Sequence, residues 1–126
     1  GVYTASDPQL MEDLARSGVT VECCLSCNVV TGAVPSYTDH SIGLYVASGI
    51  PVTLNTDDPV RVCTSIGREY AIASKLGFSA AELMAFTRNA VTASFTSNER
   101  RRLLLDELVA CQLPEMERSF GNARLS

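Results

Sequence analysis

Two adjacent carboxylates stand out in the segment TLNTDDP, residues 53 to 59. Asp57 and Asp58 follow a run of β-forming residues, so they fall at the carboxyl end of a predicted strand, where parallel α/β proteins carry their chemistry. A hard or borderline cation binds anionic oxygens there. Neighbouring carboxylates that both stay charged repel each other, so one would bind a metal while the other shares a proton or meets a donor. The alternative is a turn, because Asp and Pro are turn formers and Asp58 could cap the following segment.

The cysteines form a second candidate site. Cys24 and Cys27 make a C-x-x-C pair, which could be redox-active or could supply half of a zinc site. The other ligand candidates, at no recognised spacing, are Cys63, Cys111 and His40. The redox motif opens a helix, whereas the residues from 28 onward read as a loop. We therefore interpret the pair as free thiols at a strand end, and the odd total of five cysteines fits reduced thiols better than a disulfide framework.

The remaining polar candidates favour structural roles. His40 is the only histidine and stands at a predicted helix start, where a surface or capping role is commoner than a ligand or base. Arg68 and Glu69, like the run from Glu99 to Arg102, have helical spacing and are interpreted as a solvated face or as satisfied ion pairs.

Two similar units must position these residues. Asp7 and Pro8 begin a helix that ends at Gly18, and a strand-like run follows at 19 to 23. The same order recurs from Asp39 to Gly49, followed by the strand-like run at 50 to 55. Helices that alternate with strands predict an α/β fold with a parallel sheet.

Helices alone follow the second strand. They are predicted at about 64 to 76, 79 to 94 and 97 to 112, and Ser79 to Glu82 and Thr96 to Glu99 match the capping box. Residues 113 to 126 are predicted to form a loose tail after a domain of residues 1 to 112. Two parallel strands with about five helices leave bare sheet edges, so part of the sheet is expected to come from elsewhere.

The amino-acid composition and net charge argue against several classes of function. The chain of 126 residues is 46% hydrophobic and 19% charged, which is typical of a globular domain. Its net charge of −4, with no basic stripe, argues against nucleic acid and against an acidic membrane surface. The sequence shows no secretion-signal pattern and no apolar run long enough to cross a membrane. The reduced thiols favour a cytoplasmic protein, and an extracellular one stays open.

The motifs in combination resemble one family. TDDP, then REYAIA, RNAVTASF and ERRRLL, together with the strand end before Asn28 and the His40 helix start, resemble the C-terminal part of the adenosine deaminase family from Gly1 to about Gln112. The family often has Pro where Cys24 or Leu25 stands and His-Pro where His40 and Ser41 stand.

The resemblance implies a zinc-dependent (β/α)8 barrel that hydrolyses the 6-amino group of a purine. This chain would supply the last two strands and the trailing helices, and an N-terminal chain of the same enzyme would complete the barrel. Asp57 would be the zinc ligand that also orients the attacking water, and Asp58 would contact N7 of the purine. The other metal ligands, all histidines, and the catalytic Glu and His are expected outside this chain.

Three functions remain open from the sequence. The resemblance favours adenosine as the substrate, with inosine and ammonia as products. Thr56 favours a nucleoside, because the related adenine enzymes tend to have S-D-D-P where this chain has T-D-D-P. Adenine or AMP deamination on the same scaffold is the first alternative. The second is a non-catalytic α/β interaction module in which Asp57 and Asp58 form only a turn.

Overall fold

The computed structural model describes the backbone of residues 2 to 122 and the side chains of residues 2 to 111. The chain divides into two compact units, residues 1 to 90 and residues 91 to 126. The described residues form these helices and strands: α1 (Pro8–Ser17), β1 (Val21–Cys23), α2 (Leu25–Val30), α3 (Ile42–Ala47), β2 (Val52–Leu54), α4 (Ile66–Lys75), α5 (Ala80–Ala93) and α6 (Asn98–Asn122), with 3-10 segments at Val2–Ser6 and Tyr37–Asp39.

The two strands form a parallel sheet, as predicted. Val21 pairs with Val52 and Cys23 with Leu54, and the peptide N–H of Asn55 donates to the Cys23 carbonyl over 2.9 Å. Neither strand has a second neighbour among the described residues. The Asn89 side-chain amide donates to the Val52 carbonyl over 2.9 Å and so satisfies one acceptor of β2.

The core lies in the first unit, where the sheet meets the helices. Its buried side chains come from α1 to α5 and from both strands, and the largest include Tyr45, Leu25 and Ile42. Burial of such apolar surface supplies most of the driving force for folding. No described helix is long and apolar enough to cross a membrane.

Local capping explains where several helices begin. Asp7 Oδ1 accepts from the Leu10 N–H over 3.1 Å, and Gly18 ends α1 in the left-handed region at φ 69°. The predicted capping box before α5 is confirmed, since Ser79 Oγ accepts from the Glu82 N–H and Glu82 Oε2 accepts from the Ser79 N–H.

The helix start before α6 differs from the prediction by one residue. Ser97, not Thr96, caps α6, because Ser97 Oγ accepts from the Arg100 N–H over 3.2 Å. Arg101 is half-buried and donates to the Ser94 and Thr96 carbonyls, so this arginine is not part of a solvated face as predicted. The helix itself continues to Asn122 rather than giving way to a loose tail at 113, and residues 123 to 126 lie outside the described residues.

The predicted loop after β1 is wrong. Residues 25 to 30 form α2, and its first three residues, Leu25, Ser26 and Cys27, are buried. A short segment without a side-chain cap or a helical repeat gives little local signal, so tertiary burial decides its structure. The predicted division after residue 112 stays a prediction.

Candidate active site

Asp57 lies directly beyond β2 in an uncommon backbone conformation. Its φ is 58°, in the left-handed region that non-glycine residues seldom adopt. The Cys27 thiol on α2 donates to Asp57 Oδ2 over 3.1 Å. The other oxygen, Oδ1, has no hydrogen bond from the described residues, and the side chain is exposed. Asp57 thus presents one fixed oxygen and one free oxygen at the carboxyl end of the sheet.

Cys27 is a hydrogen-bond donor rather than a thiolate. The hydrogen bond to Asp57, followed by burial and by the negative charges of Asp57 and Asp58, raises the pKa of the Cys27 thiol. Burial raises the pKa of Cys23 to about 12 and that of Cys24 to about 11. All five cysteines are free, as predicted. The raised pKa values make the thiols of Cys23, Cys24 and Cys27 poor nucleophiles and poor metal ligands.

Asp58 also closes a turn. Its Oδ1 accepts from the Arg61 N–H over 3.1 Å, and its carbonyl accepts from the Val62 N–H over 3.1 Å. The turn role that the sequence left open for Asp58 is therefore present. Its side chain is nevertheless exposed, so the second carboxylate oxygen remains accessible to a ligand.

The burial of Glu69 was not predicted from the sequence. We predicted a solvated or ion-paired side chain, whereas Glu69 is fully buried in the first turn of α4. Its Oε2 accepts from the Ser26 N–H over 3.1 Å, and its Oε1 accepts from the Thr64 hydroxyl over 2.6 Å. Arg68 is exposed and donates to the Cys63 carbonyl over 3.2 Å. Helical spacing alone cannot distinguish these two neighbours.

His40 has the predicted capping role. Its Nδ1 accepts from the Ile42 N–H over 3.1 Å at the start of α3, so the ring proton is on Nε2, which donates to Asn28 Oδ1 over 2.9 Å. Burial lowers the pKa of His40, and the charge of Glu69 partly opposes this effect. His40 therefore links α3 to α2 as a neutral imidazole.

The described residues supply only part of the ligand set that a metal ion would need. The described residues contain no cluster of three or more His, Cys, Asp or Glu side chains suited to a metal ion. Asp57 fits as a single ligand, because the free Oδ1 is an anionic oxygen whose partner atom is oriented by Cys27. Further ligands would have to come from outside the described residues.

A parallel sheet that presents two carboxylates at its carboxyl end is typical of the active sites of α/β proteins. Residues 1 to 111 match the adenosine deaminase family, and the chain belongs to that family. Its fold is a portion of the (β/α)8 barrel of these deaminases, as predicted.

The chain is similar to relatives that are named for deamination of different substrates. An adenine deaminase from Rhizobium leguminosarum bv. trifolii is 38% identical over 109 residues, which cover 86% of this chain and 34% of the relative. An adenosine deaminase from Shewanella loihica is 38% identical over 105 residues, covering 82% and 32%. The crystal structure of Arabidopsis ADAL complexed with IMP superimposes with a TM-score of 0.79 and 30% identity, covering 86% of this chain and 32% of that one. The chain thus spans about a third of the length of the proteins it matches.

Proposed function

We propose that this segment contributes one wall of the active site of a zinc-dependent hydrolase that removes the 6-amino group of a purine. The observation that supports this most is the exposed Asp57 carboxylate at the end of β2, with one oxygen fixed by Cys27 and the other free. Family membership supports the same reaction class. An N-terminal part of the same enzyme would supply the histidine ligands and the catalytic Glu and His.

The two carboxylates would have different tasks. Asp57 would hold the zinc ion, which when bound supplies a water of lowered pKa, and its carboxylate would orient that water. Asp58 would share a proton with N7 of the purine and so stabilise charge that develops on the ring. Its N–H contact from Arg61 fixes the carboxylate in place for this role.

Adenosine is one proposed substrate, with inosine and ammonia as products. Adenine is an equally strong candidate, because an adenine deaminase is as identical to this chain as an adenosine deaminase is. AMP is supported by the neighbour that binds IMP. Comparison of kcat/KM for adenosine, adenine and AMP in the assembled enzyme decides among them, and zinc-free protein without activity on any of them would favour the interaction module.

Substitution of each carboxylate tests the assignment. Asp57→Asn removes an anionic ligand, so zinc content and turnover should both fall. Asp58→Asn should retain zinc while kcat/KM falls by about 100-fold or more, as expected when one preorganised charge-stabilising contact is lost. Elemental analysis and steady-state kinetics on the assembled enzyme provide the two readouts.

Asp106→Asn is the matched control. Asp106 is an exposed carboxylate on α6, and it should keep both zinc and activity. Loss of zinc from Asp58→Asn with retention in Asp57→Asn would reverse the two roles. Retention of zinc and full activity in both variants would leave the pair as a turn.

A further inference from the structure

Glu69 is a buried acid with no cationic partner among the described residues. The ion pair between Arg16 and Asp13 does not involve Glu69. Burial of a carboxylate is costly unless hydrogen bonds or dipoles compensate for the lost water. Glu69 receives one hydrogen bond on each oxygen, from the Ser26 N–H and from the Thr64 hydroxyl. Burial of the Glu69 carboxylate costs free energy at a position where an apolar side chain would pack, and this cost indicates that Glu69 has a specific role.

The contacts of Glu69 join three separate segments. Ser26 lies in the first turn of α2, Thr64 ends the loop that follows β2, and Glu69 itself lies in the first turn of α4. Peptide N–H groups at helix starts carry partial positive charge, which favours a carboxylate there. The Ser26 and Thr64 hydroxyl oxygens are 3.3 Å apart, so all three groups meet at one point.

The hydrogen bonds of Glu69 are connected through the chain to the contact between Cys27 and Asp57 along two paths. Ser26 donates to Glu69 while its neighbour Cys27 donates to Asp57. On the other path, the loop that begins at Asp57 ends at Thr64, whose hydroxyl is held by Glu69. Glu69 therefore fixes both the helix that supplies the thiol donor and the far end of the loop that carries the carboxylate.

We propose that Glu69 is a positioning residue, which holds α2 and the loop of residues 57 to 64 so that the Cys27 thiol meets Asp57 and the free oxygen of Asp57 points outward from the sheet. Its effect on catalysis rests on the function proposed above. Its effect on the Cys27–Asp57 contact does not depend on that function and can be measured without turnover.

Four variants of the assembled enzyme test the role. Glu69→Gln replaces one carboxylate oxygen by an amide and disturbs the contact with Thr64. Thr64→Val removes the hydroxyl donor at almost constant shape, and Thr64→Ser restores it. Glu82→Gln is the control, because Glu82 is also a carboxylate in the first turn of a helix and, among the described residues, forms hydrogen bonds only with Ser79.

The first readout is alkylation of Cys27 by iodoacetamide, followed by peptide mass spectrometry. Cys27 is buried in the parent, so displacement of α2 should open its thiol to the reagent, and labelling should become about tenfold faster in Glu69→Gln. Thr64→Val should show an increase in the same direction, and Thr64→Ser and Glu82→Gln should react close to the parent rate.

The second readout is the separation of kcat from KM. A misplaced Asp57 should lower kcat by about tenfold or more while KM changes little, because the contact matters in the transition state. Thr64→Ser should recover most of the kcat that Thr64→Val loses. A general loss of structure would instead increase labelling of buried Cys23 together with Cys27.

The outcomes are distinct. Parent-like labelling and kcat in Glu69→Gln overturn the proposal, and so does faster labelling with unchanged kcat in an active parent. Equal acceleration at Cys23 and Cys27, or in Glu82→Gln, also overturns it. If Glu69→Gln does not fold, the Thr64→Val and Thr64→Ser pair decides by the same criteria. If the parent itself has no deaminase activity, the proposed function fails, while selective labelling at Cys27 still supports the positioning of Asp57.

Discussion

At the residue scale, the thiol of Cys27 and the carboxylate of Asp57 form a contact between residues 30 positions apart. The sequence flagged both residues separately, Asp57 as a metal ligand and Cys27 as a free thiol. It could not connect them, because only the fold brings α2 beside the end of β2. The contact gives Cys27 a specific task as donor to the proposed ligand.

Replacement of Cys27 separates this task from simple packing. Cys27→Ala removes the donor, and kcat/KM should fall at least about tenfold, because a hydrogen bond to a charged group contributes about 1.5 to 3 kcal/mol. Cys27→Ser keeps a donor and should retain most of the activity. Steady-state kinetics on the assembled enzyme provide the measurement.

Cys24→Ser is the control for the pair. Cys24 is only half-buried, and no hydrogen bond joins it to Asp57 within the described residues, so its replacement should leave zinc content and kcat/KM near the parent values. Loss of zinc in Cys24→Ser would revive the thiolate-ligand interpretation that the raised thiol pKa values argue against.

Some residues of the site could be predicted and others could not. The position of Asp57 and Asp58 after a strand could be predicted, because strand pattern and turn chemistry are local properties that the sequence displays directly, while their roles stay predictions. Glu69 was not, since its neighbour Arg68 has the same helical context and is exposed. Whether a charged residue on an amphipathic helix is buried depends on what packs over it, and that information lies in residues far along the chain.

At the element scale, the helices with capping side chains were predicted well, whereas α2, which has none, was not predicted. Asp7, Ser79 and Gly18 mark helix ends through their own side chain or backbone preference. Neither α2 nor α3 has an N-cap side chain that bonds the first turn. At α3 the His40 ring supplies that hydrogen bond instead, so this start depends on the protonation of a histidine.

Stability should therefore depend on pH through His40. Burial lowers the pKa of His40 in the folded chain, so below its ordinary value of about 6.5 the unfolded chain binds a proton that the folded chain does not. By linkage, this contribution to stability is present above that value and is lost as the pH falls through the folded pKa. Protonation of Nδ1 also removes the acceptor for the Ile42 N–H.

The measurement compares free energies of unfolding at pH 7.5 and pH 5.5 for the parent and for His40→Gln in the assembled enzyme. The parent should lose more stability on acidification than the variant, because the variant has no imidazole to protonate. An equal loss in both proteins would assign the pH dependence to groups other than His40.

At the scale of the whole molecule, two parallel strands make an incomplete sheet. Parallel sheets are normally paired on both sides and covered on both faces, and neither β1 nor β2 has a second neighbour among the described residues. Large apolar side chains are also exposed, including Tyr3, Val60 and Phe95. These features agree with a segment that spans about a third of its relatives.

The isolated chain should consequently unfold without a sharp cooperative transition and should bind the dye ANS, which reports exposed apolar surface. Addition of, or coexpression with, the N-terminal part of the same enzyme should restore cooperative unfolding and remove the dye signal. Differential scanning calorimetry and ANS fluorescence at low protein concentration make the comparison. A sharp two-state transition of the chain alone would contradict this prediction and favour the interaction module.

Because Asp57 has a left-handed backbone conformation, substitutions at this position differ in whether they change only the side chain or also strain the backbone. Asn and Gly tolerate a φ of 58°, and His is found in this region more often than most residues, whereas Val, Ala, Tyr and Glu lack the short polar side chain that favours it. All seven arise from an aspartate codon by a single base change. In a variant library or a survey of natural alleles, Asn therefore reports the charge of residue 57 alone, Gly reports the whole side chain, and Val combines the loss of the carboxylate with backbone strain.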